Sequence, residues 1–143
     1  MSIKELVQKT LQDTTNQRIK IDLANPTVEQ LTAIKETTGI ELTDFQRTMD
    51  NYAIKHTFRK HGNDKLETLR GQIGVTEKDF EKIDSIIDNP DEITHGGINN
   101  IGREVILYRK NLENQYVYVE EIRPAKKEAA MQTLYIRKNK KAT

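Results

Sequence analysis

Cysteine and tryptophan are absent from the chain. Without cysteine there is no disulfide, no thiolate metal ligand and no cysteine nucleophile. Serine occurs only as Ser2 and Ser85, neither in a nucleophile-elbow context, which disfavours serine-hydrolase chemistry. No apolar run approaches the ~20 residues that cross a bilayer, and Met1-Ser2-Ile3-Lys4-Glu5 does not begin a secretory signal, so no membrane partner is expected. Gly96, Gly97 and Gly102 sit among turn residues and not between a strand and a helix, which leaves no phosphate-cradling nucleotide motif. His56, His61 and His95 contain no His-Glu-x-x-His, and the first two differ by about 140° around a helix. No metal site and no cofactor is therefore expected.

What is present is a polar chain of 143 residues, 35% apolar and 31% charged, the size of one domain with a single core. The formal net charge of +1 is unevenly spread. From Arg123 onward the basic residues Arg123, Lys126, Lys127, Arg137, Lys138, Lys140 and Lys141 face Glu128 alone. Such an end suits an anionic partner, although a solvated tail explains Lys138 to Lys141 equally well.

Helical spacing of Ile3, Leu6, Val7 and Leu11 opens the chain, and strict alternation from Arg18 to Leu23 follows as a short extended segment. Asn25-Pro26-Thr27 starts a second helix that Gly39 stops. Thr43 with Gln46 is the pattern of a capping box, predicting a third helix over Asp44 to His61 that Gly62 ends. On it Phe45, Met49, Tyr52 and His56 share a face, with Lys60 one turn on. An imidazole on an apolar stripe is more often a core histidine than a working one. A loop from Asn63 to Val75 leads to a fourth helix capped by Thr76, with Phe80, Ile83, Ile86 and Ile87 inward. The period then changes from helical to alternating. Strands are expected at Glu92 to His95, Arg103 to Arg109, Gln115 to Arg123 and Ala130 to Arg137. The fold class is thus α+β, N-terminal helices packed on a C-terminal antiparallel sheet of about four strands.

The run KHTFRKHG, then RGQIGVTEKDFEKIDSIIDNPDEI, then GREVILYRKNLENQYVYVEEIRPAKKEAAMQTLYIRK, in that order, resembles a phage-associated nuclease family. It is the phage branch of the barnase–EndoU–colicin–RelE-like superfamily. The resemblance covers about Tyr52 to Lys138. It divides the chain into a helical extension without an assigned role (1–50), a nuclease-like domain (51–138) and a basic tail (139–143).

This resemblance implies a metal-independent endoribonuclease, in which the 2′-hydroxyl attacks the adjacent phosphate and leaves a 2′,3′-cyclic phosphate. That chemistry needs a base, an acid and cations around the phosphate. Histidine titrates near working pH, and lysine and arginine suit developing charge on phosphate oxygens. Carried onto this sequence, the catalytic set is His56, His61, Arg123 and Thr133. Lys60, Lys126 and Lys127 are candidate phosphate contacts, Glu121 a group that orients Arg123 or acts as a base, and Tyr135 a stacking surface. Each also has an ordinary structural role: His61 favours the helix dipole, Glu121 and Arg123 can be an exposed ion pair, and strand tyrosines more often pack. The partners implied are RNA, such as one tRNA loop or ribosome-bound mRNA, and an immunity or antitoxin protein. The setting implied is the cytoplasm of a bacterial host cell, for a phage or mobile-element toxin. The competing expectation is an inactive relative that binds nucleic acid or protein on the same scaffold.

Overall fold

The computed structural model describes residues 1–139; Lys140 and Lys141, in the expected basic tail, lie outside the described residues. Helix α1, Ile3–Gln12, starts at a capping box in which Ser2 and Glu5 each bond the other's backbone N–H, and it buries Ile3, Leu6 and Val7. After strand β1, Lys20–Asp22, a second box between Thr27 and Gln30 starts helix α2, Val28–Thr38. Each such cap stabilises a helix end by ~1 kcal/mol. Gly39 ends α2 at φ 78°, a left-handed conformation that a side chain would strain.

The next segment differs from expectation. Gln46–Asp50 is strand β2, and helix α3 runs only over Asn51–His61. Asp44 has φ 67°, incompatible with a helix starting at Thr43, and the Gln46 side chain bonds the Leu23 and Arg47 carbonyls and caps nothing. The true cap is Asp50, whose carboxylate accepts the Ala53 N–H at 2.8 Å. Tertiary pairing overrides the local helical spacing here: β2 has β1 on one side and the last strand on the other. Gly62 ends α3 in a right-handed conformation, not the left-handed one expected.

The expected loop from Asn63 holds helix α4, Asp64–Leu69, and a two-residue strand β3, Gln72–Ile73. The fourth expected helix is a 3₁₀ segment, Glu77–Lys82, running into α5, Ile83–Asp88. Phe80, Ile83, Ile86 and Ile87 are buried, as their spacing predicts. The meander follows as β4, Glu92–Ile98, β5, Glu104–Asn111, β6, Gln115–Arg123, and β7, Glu128–Arg137.

These four strands are antiparallel, but the whole sheet has seven strands and is mixed. The path order is β1-β2-β7-β6-β5-β4, with β2 parallel to β7 and β3 antiparallel to the far end of β7. β1 lies within the alternating segment expected from Arg18 to Leu23, whereas the two-residue β3 is too short to show a period. Residues 1–50, expected as a helical extension, therefore supply two strands of this sheet. Ile3, Leu6, Ile21, Ile34 and Met49 share one core cluster with Phe80, Ile106 and Leu134. A smaller cluster, Val105, Val117 and Val119, packs with Leu107 and Tyr135 on the alternate positions of the sheet.

One charged group lies inside the main core. Arg47 on β2 is 2% exposed and Glu120 on β6 fully buried, joined Nε to Oε2 at 3.1 Å. The Tyr108 hydroxyl donates to Glu120 at 2.6 Å and accepts from Arg47 at 3.1 Å, closing a three-residue ring of bonds. Burial pushes the Glu120 carboxyl up, partly offset by Arg47 and the Tyr108 hydroxyl. Removing one partner leaves the other charge buried and unpaired, so Arg47→Ala is expected to lower unfolding free energy by ~3–5 kcal/mol. Urea denaturation measures this; a loss below about 1 kcal/mol would show that water enters to solvate Glu120.

A candidate active site between helix α3 and strand β6

Strand β6 alternates, so Glu121 and Arg123 project to the same side as Val117 and Val119. Pro124 opens a single 3₁₀ turn, and Lys127 at φ 52° sends the chain back so that Glu128 pairs opposite Arg123. Arg123 is thus held at two points: Nε donates to Glu121 at 2.7 Å and one terminal nitrogen to Glu128 at 2.8 Å. Glu121 also accepts from Arg103 at 2.9 Å and from the Asn99 amide at 2.7 Å. Glu128 accepts from Lys20 at 2.8 Å.

Burial alone would raise both carboxyls, but the bonds outweigh it. Those from Arg123 and Arg103 hold Glu121 below the usual carboxylate range, and those from Lys20 and Arg123 do the same for Glu128. Burial disfavours the Arg123 cation, and the two glutamates more than restore it. Arg123 is a fixed positive charge.

A cleft of about 450 Å³ opens over this group. Its lining includes His56 and Tyr52 from α3, Arg123 and Glu121 from β6, and Lys126 from the turn between β6 and β7. Arg103 comes from the loop before β5, and Arg18 from the segment before β1. A register shift between β6 and β7 leaves Gln132 as an extra residue, and this bulge puts it in the cleft wall beside Met131. The Asn99 amide bonds Gln132 at 2.9 Å as well as Glu121, tying the β4–β5 loop to the floor. Four cations, Arg18, Arg103, Arg123 and Lys126, line the cleft against two carboxylates, Asp50 and Glu121. A larger cavity of about 540 Å³ beside Arg47 is bounded by Asp22, Asp84 and Asp88, a poor seat for a polyanion.

His56 is half-buried, and burial followed by the nearby charges of Lys60 and Arg59 lowers its pKa below 6.5. It is consequently a neutral base at pH 7. Among the described residues it makes no side-chain hydrogen bond, whereas the other two histidines are engaged. The His95 ring bonds Glu104 at 3.0 Å and accepts the Gly97 N–H.

The residues expected from sequence fall into separate places. His56, Glu121, Arg123 and Lys126 share the cleft. His61 does not line it: its ring is buried against Glu67 at 3.1 Å, and Glu67 in turn accepts from Arg70. The angular separation of His56 and His61 on one helix accounts for this. Thr133 is buried with its hydroxyl 3.3 Å from that of Thr57, and Tyr135 packs 5.4 Å from the His61 ring, centroid to centroid. These three lie along the seam of α3 and β7, outside the cleft lining. Lys60 is exposed one turn beyond His56, and Lys127 lies over the Phe45 ring at 5.5 Å. Arg18, Arg103, Tyr52 and Gln132 were not expected in a site. Of these, Tyr52 carried a local signal in sharing the His56 face of the helix, and Arg103 in standing next to a turn rich in Asn and Gly. Among the described residues no group of three or more His, Asp or Glu is arranged to hold a metal ion.

Fixed guanidinium groups, a lysine and a neutral imidazole in one open cleft can bind a phosphodiester and accept a proton beside it. Such a lining suits a protein that handles phosphate chains. Residues 25–143 match the family described as phage-Barnase-EndoU-ColicinE5/D-RelE like nuclease 3, and the chain belongs to this nuclease family. Comparisons with curated proteins and with solved structures each found no match.

The carboxylates that hold the arginines make the fold acid-sensitive. Glu121 and Glu128 have folded pKa values below the ordinary 4.5, so their contribution is present above that value and lost as pH falls through the depressed values. Urea midpoints at pH 7 and pH 3 are expected to differ less in a Glu121→Gln, Glu128→Gln variant than in the parent. Equal differences would mean the two pairs do not stabilise the fold.

Proposed function

We propose that the protein is a metal-independent endoribonuclease that cleaves RNA by 2′-hydroxyl transesterification. The observation that carries this reading is His56, a histidine whose ring nitrogens are unbonded among the described residues and whose pKa is lowered, in the same cleft as Arg123. Neutral His56 takes the proton from the attacking 2′-hydroxyl. Arg123, with Arg103, faces the charge that grows on the phosphate oxygens. Their carboxylate partners fix them beforehand, so little reorganisation is needed as the charge develops. Lys126 is exposed and among the described residues makes no ion pair, which leaves it to contact phosphate or give a proton to the departing 5′-oxygen. His61 and Thr133 act on this reading by packing α3 against β7. In a phage or mobile-element setting, such an activity would serve as a toxin and call for an inhibitor protein.

A second reading has one observation in its favour. Arg123 is bonded at two of its three nitrogens by glutamates, as a purely structural arginine would be. On that reading the cleft binds RNA or protein without cutting it.

Total RNA incubated with the protein in excess EDTA separates the two. Cleavage is expected in EDTA, with 2′,3′-cyclic phosphate ends, and a loss of at least a hundredfold in His56→Ala and Arg123→Ala. No cleavage between about pH 5 and pH 8 would favour the binding reading, and equal cleavage by all three proteins would assign it to a contaminant.

The pH profile is a further check. The base form of His56 is required, and its pKa lies below 6.5, so kcat/KM is expected to hold constant at neutral pH and fall as pH drops through that lowered value. An acid limb above pH 6.5 would point to a different base.

A further inference from the structure

Tyr52 stands one turn before His56 on the same face of α3 and lines the cleft with a side chain that is 44% exposed. An exposed aromatic ring usually moves freely, yet this one is anchored: its hydroxyl donates to the Asn16 carbonyl at 2.5 Å. The neighbouring residues hold the same segment. Asn51 is 1% exposed and bonds the Gln17 carbonyl at 2.9 Å and the Ile19 N–H at 2.8 Å through its side chain. Asp50 accepts from Arg18 Nε at 2.9 Å. Three consecutive residues at the start of α3 thus clamp Asn16 to Ile19 against the cleft wall. The clamp brings Arg18, about a third exposed, into the lining of the same cleft as Tyr52. Asn16 to Arg18 lie outside residues 25–143, the part shared with the nuclease family.

We propose that Tyr52 and Arg18 form a nucleotide subsite next to the scissile centre, Tyr52 carrying an unpaired base on its face and Arg18 the adjoining phosphate. The proposal rests on the cleft binding RNA and narrows that reading to single strands. A base lies flat on an aromatic ring only when it has left its own stack, and the bases of an A-form duplex have not. Arg18 donates one hydrogen bond, to Asp50, and one terminal nitrogen lies 3.8 Å from the Glu128 carboxylate; among the described residues its remaining N–H groups carry no hydrogen bond and can meet phosphate oxygens. With His56 a single turn away, the nucleotide held here flanks the one that reacts. The segment before the family region then sets which RNA is taken, and the shared part sets how it is cut. Arg18 and Tyr52 are substrate-binding residues on this account, distinct from the proton-transfer and phosphate-charge groups.

The test uses the full chain and an unreactive 2′-O-methyl oligonucleotide, single-stranded or as a hairpin of the same composition, with fluorescence anisotropy as readout. Tyr52→Leu is expected to weaken single-strand binding about tenfold, while Tyr52→Phe, which keeps the ring, stays within about twofold. Arg18→Ala is expected to weaken it and to reduce the salt slope by about one phosphate contact. The hairpin is bound more weakly than the single strand by the parent, with the difference lost in Tyr52→Leu. Cleavage by Tyr52→Leu keeps the acid limb of the parent while KM rises. Binding unchanged in both Tyr52→Leu and Arg18→Ala, or a hairpin bound as tightly as the single strand, overturns the subsite. A kcat loss without a KM change overturns it too and makes these residues props for His56. Failure of the parent to cleave RNA, with the single-strand preference intact and dependent on Tyr52, overturns only the ribonuclease reading.

Discussion

Everything around the cleft depends on how the two edges of β7 are filled. On one side β7 pairs with β6 along its length. On the other, β2 is paired only through Thr48 opposite Ala130, and β3 only from Ile73 opposite Ile136. Between them the edge is left to α3, whose Thr57 hydroxyl meets Thr133 midway. A longer β2 would have displaced the helix, and with it both His56 and the clamp on Asn16. The chain stops β2 at Asp50 because that residue is already committed as a helix cap. One aspartate therefore ends a strand, starts a helix and holds Arg18.

The electrostatic design is economical in a second sense. Glu121 in the cleft wall and Glu128 behind it are conspicuous acids beside a lining of cations, and taken alone they weaken its positive charge. Their effect is positional: each orients a guanidinium, and net charge in the cleft stays positive. Arginine suits this use because its planar fork can give one edge to a carboxylate and keep another for substrate. A near-neutral chain can then present a locally basic surface.

Much of this architecture was legible in the sequence, because the meander, the buried stripe from Phe80 to Ile87, the helix start after Asn25-Pro26 and the cap at Thr76 all show in local patterns. Pairings decided by distant residues were not. The span from Thr43 to Asp50 has helical spacing, yet β1 and β7 recruit it into the sheet. His56 and Arg123 were reachable through the chemistry of their side chains and the resemblance of their surroundings. The pairing of Arg18 with Tyr52 was not, since it exists only after a fold of over thirty residues brings Asn16 to α3. Gln132 depends on a bulge, and a one-residue register change leaves no trace in alternation until its partner strand is known.

The outer strands have a bearing on how the molecule behaves at high concentration. An open sheet ends in rows of unpaired N–H and C=O groups that another chain can extend into an aggregate. At one end β1 is only three residues long and so offers little to copy. At the other, β4 is interrupted between His95 and Ile98 by a register shift, with Gly97 at φ 88°, and it begins at Glu92. Short, bent and charged borders of this kind resist edge-to-edge growth.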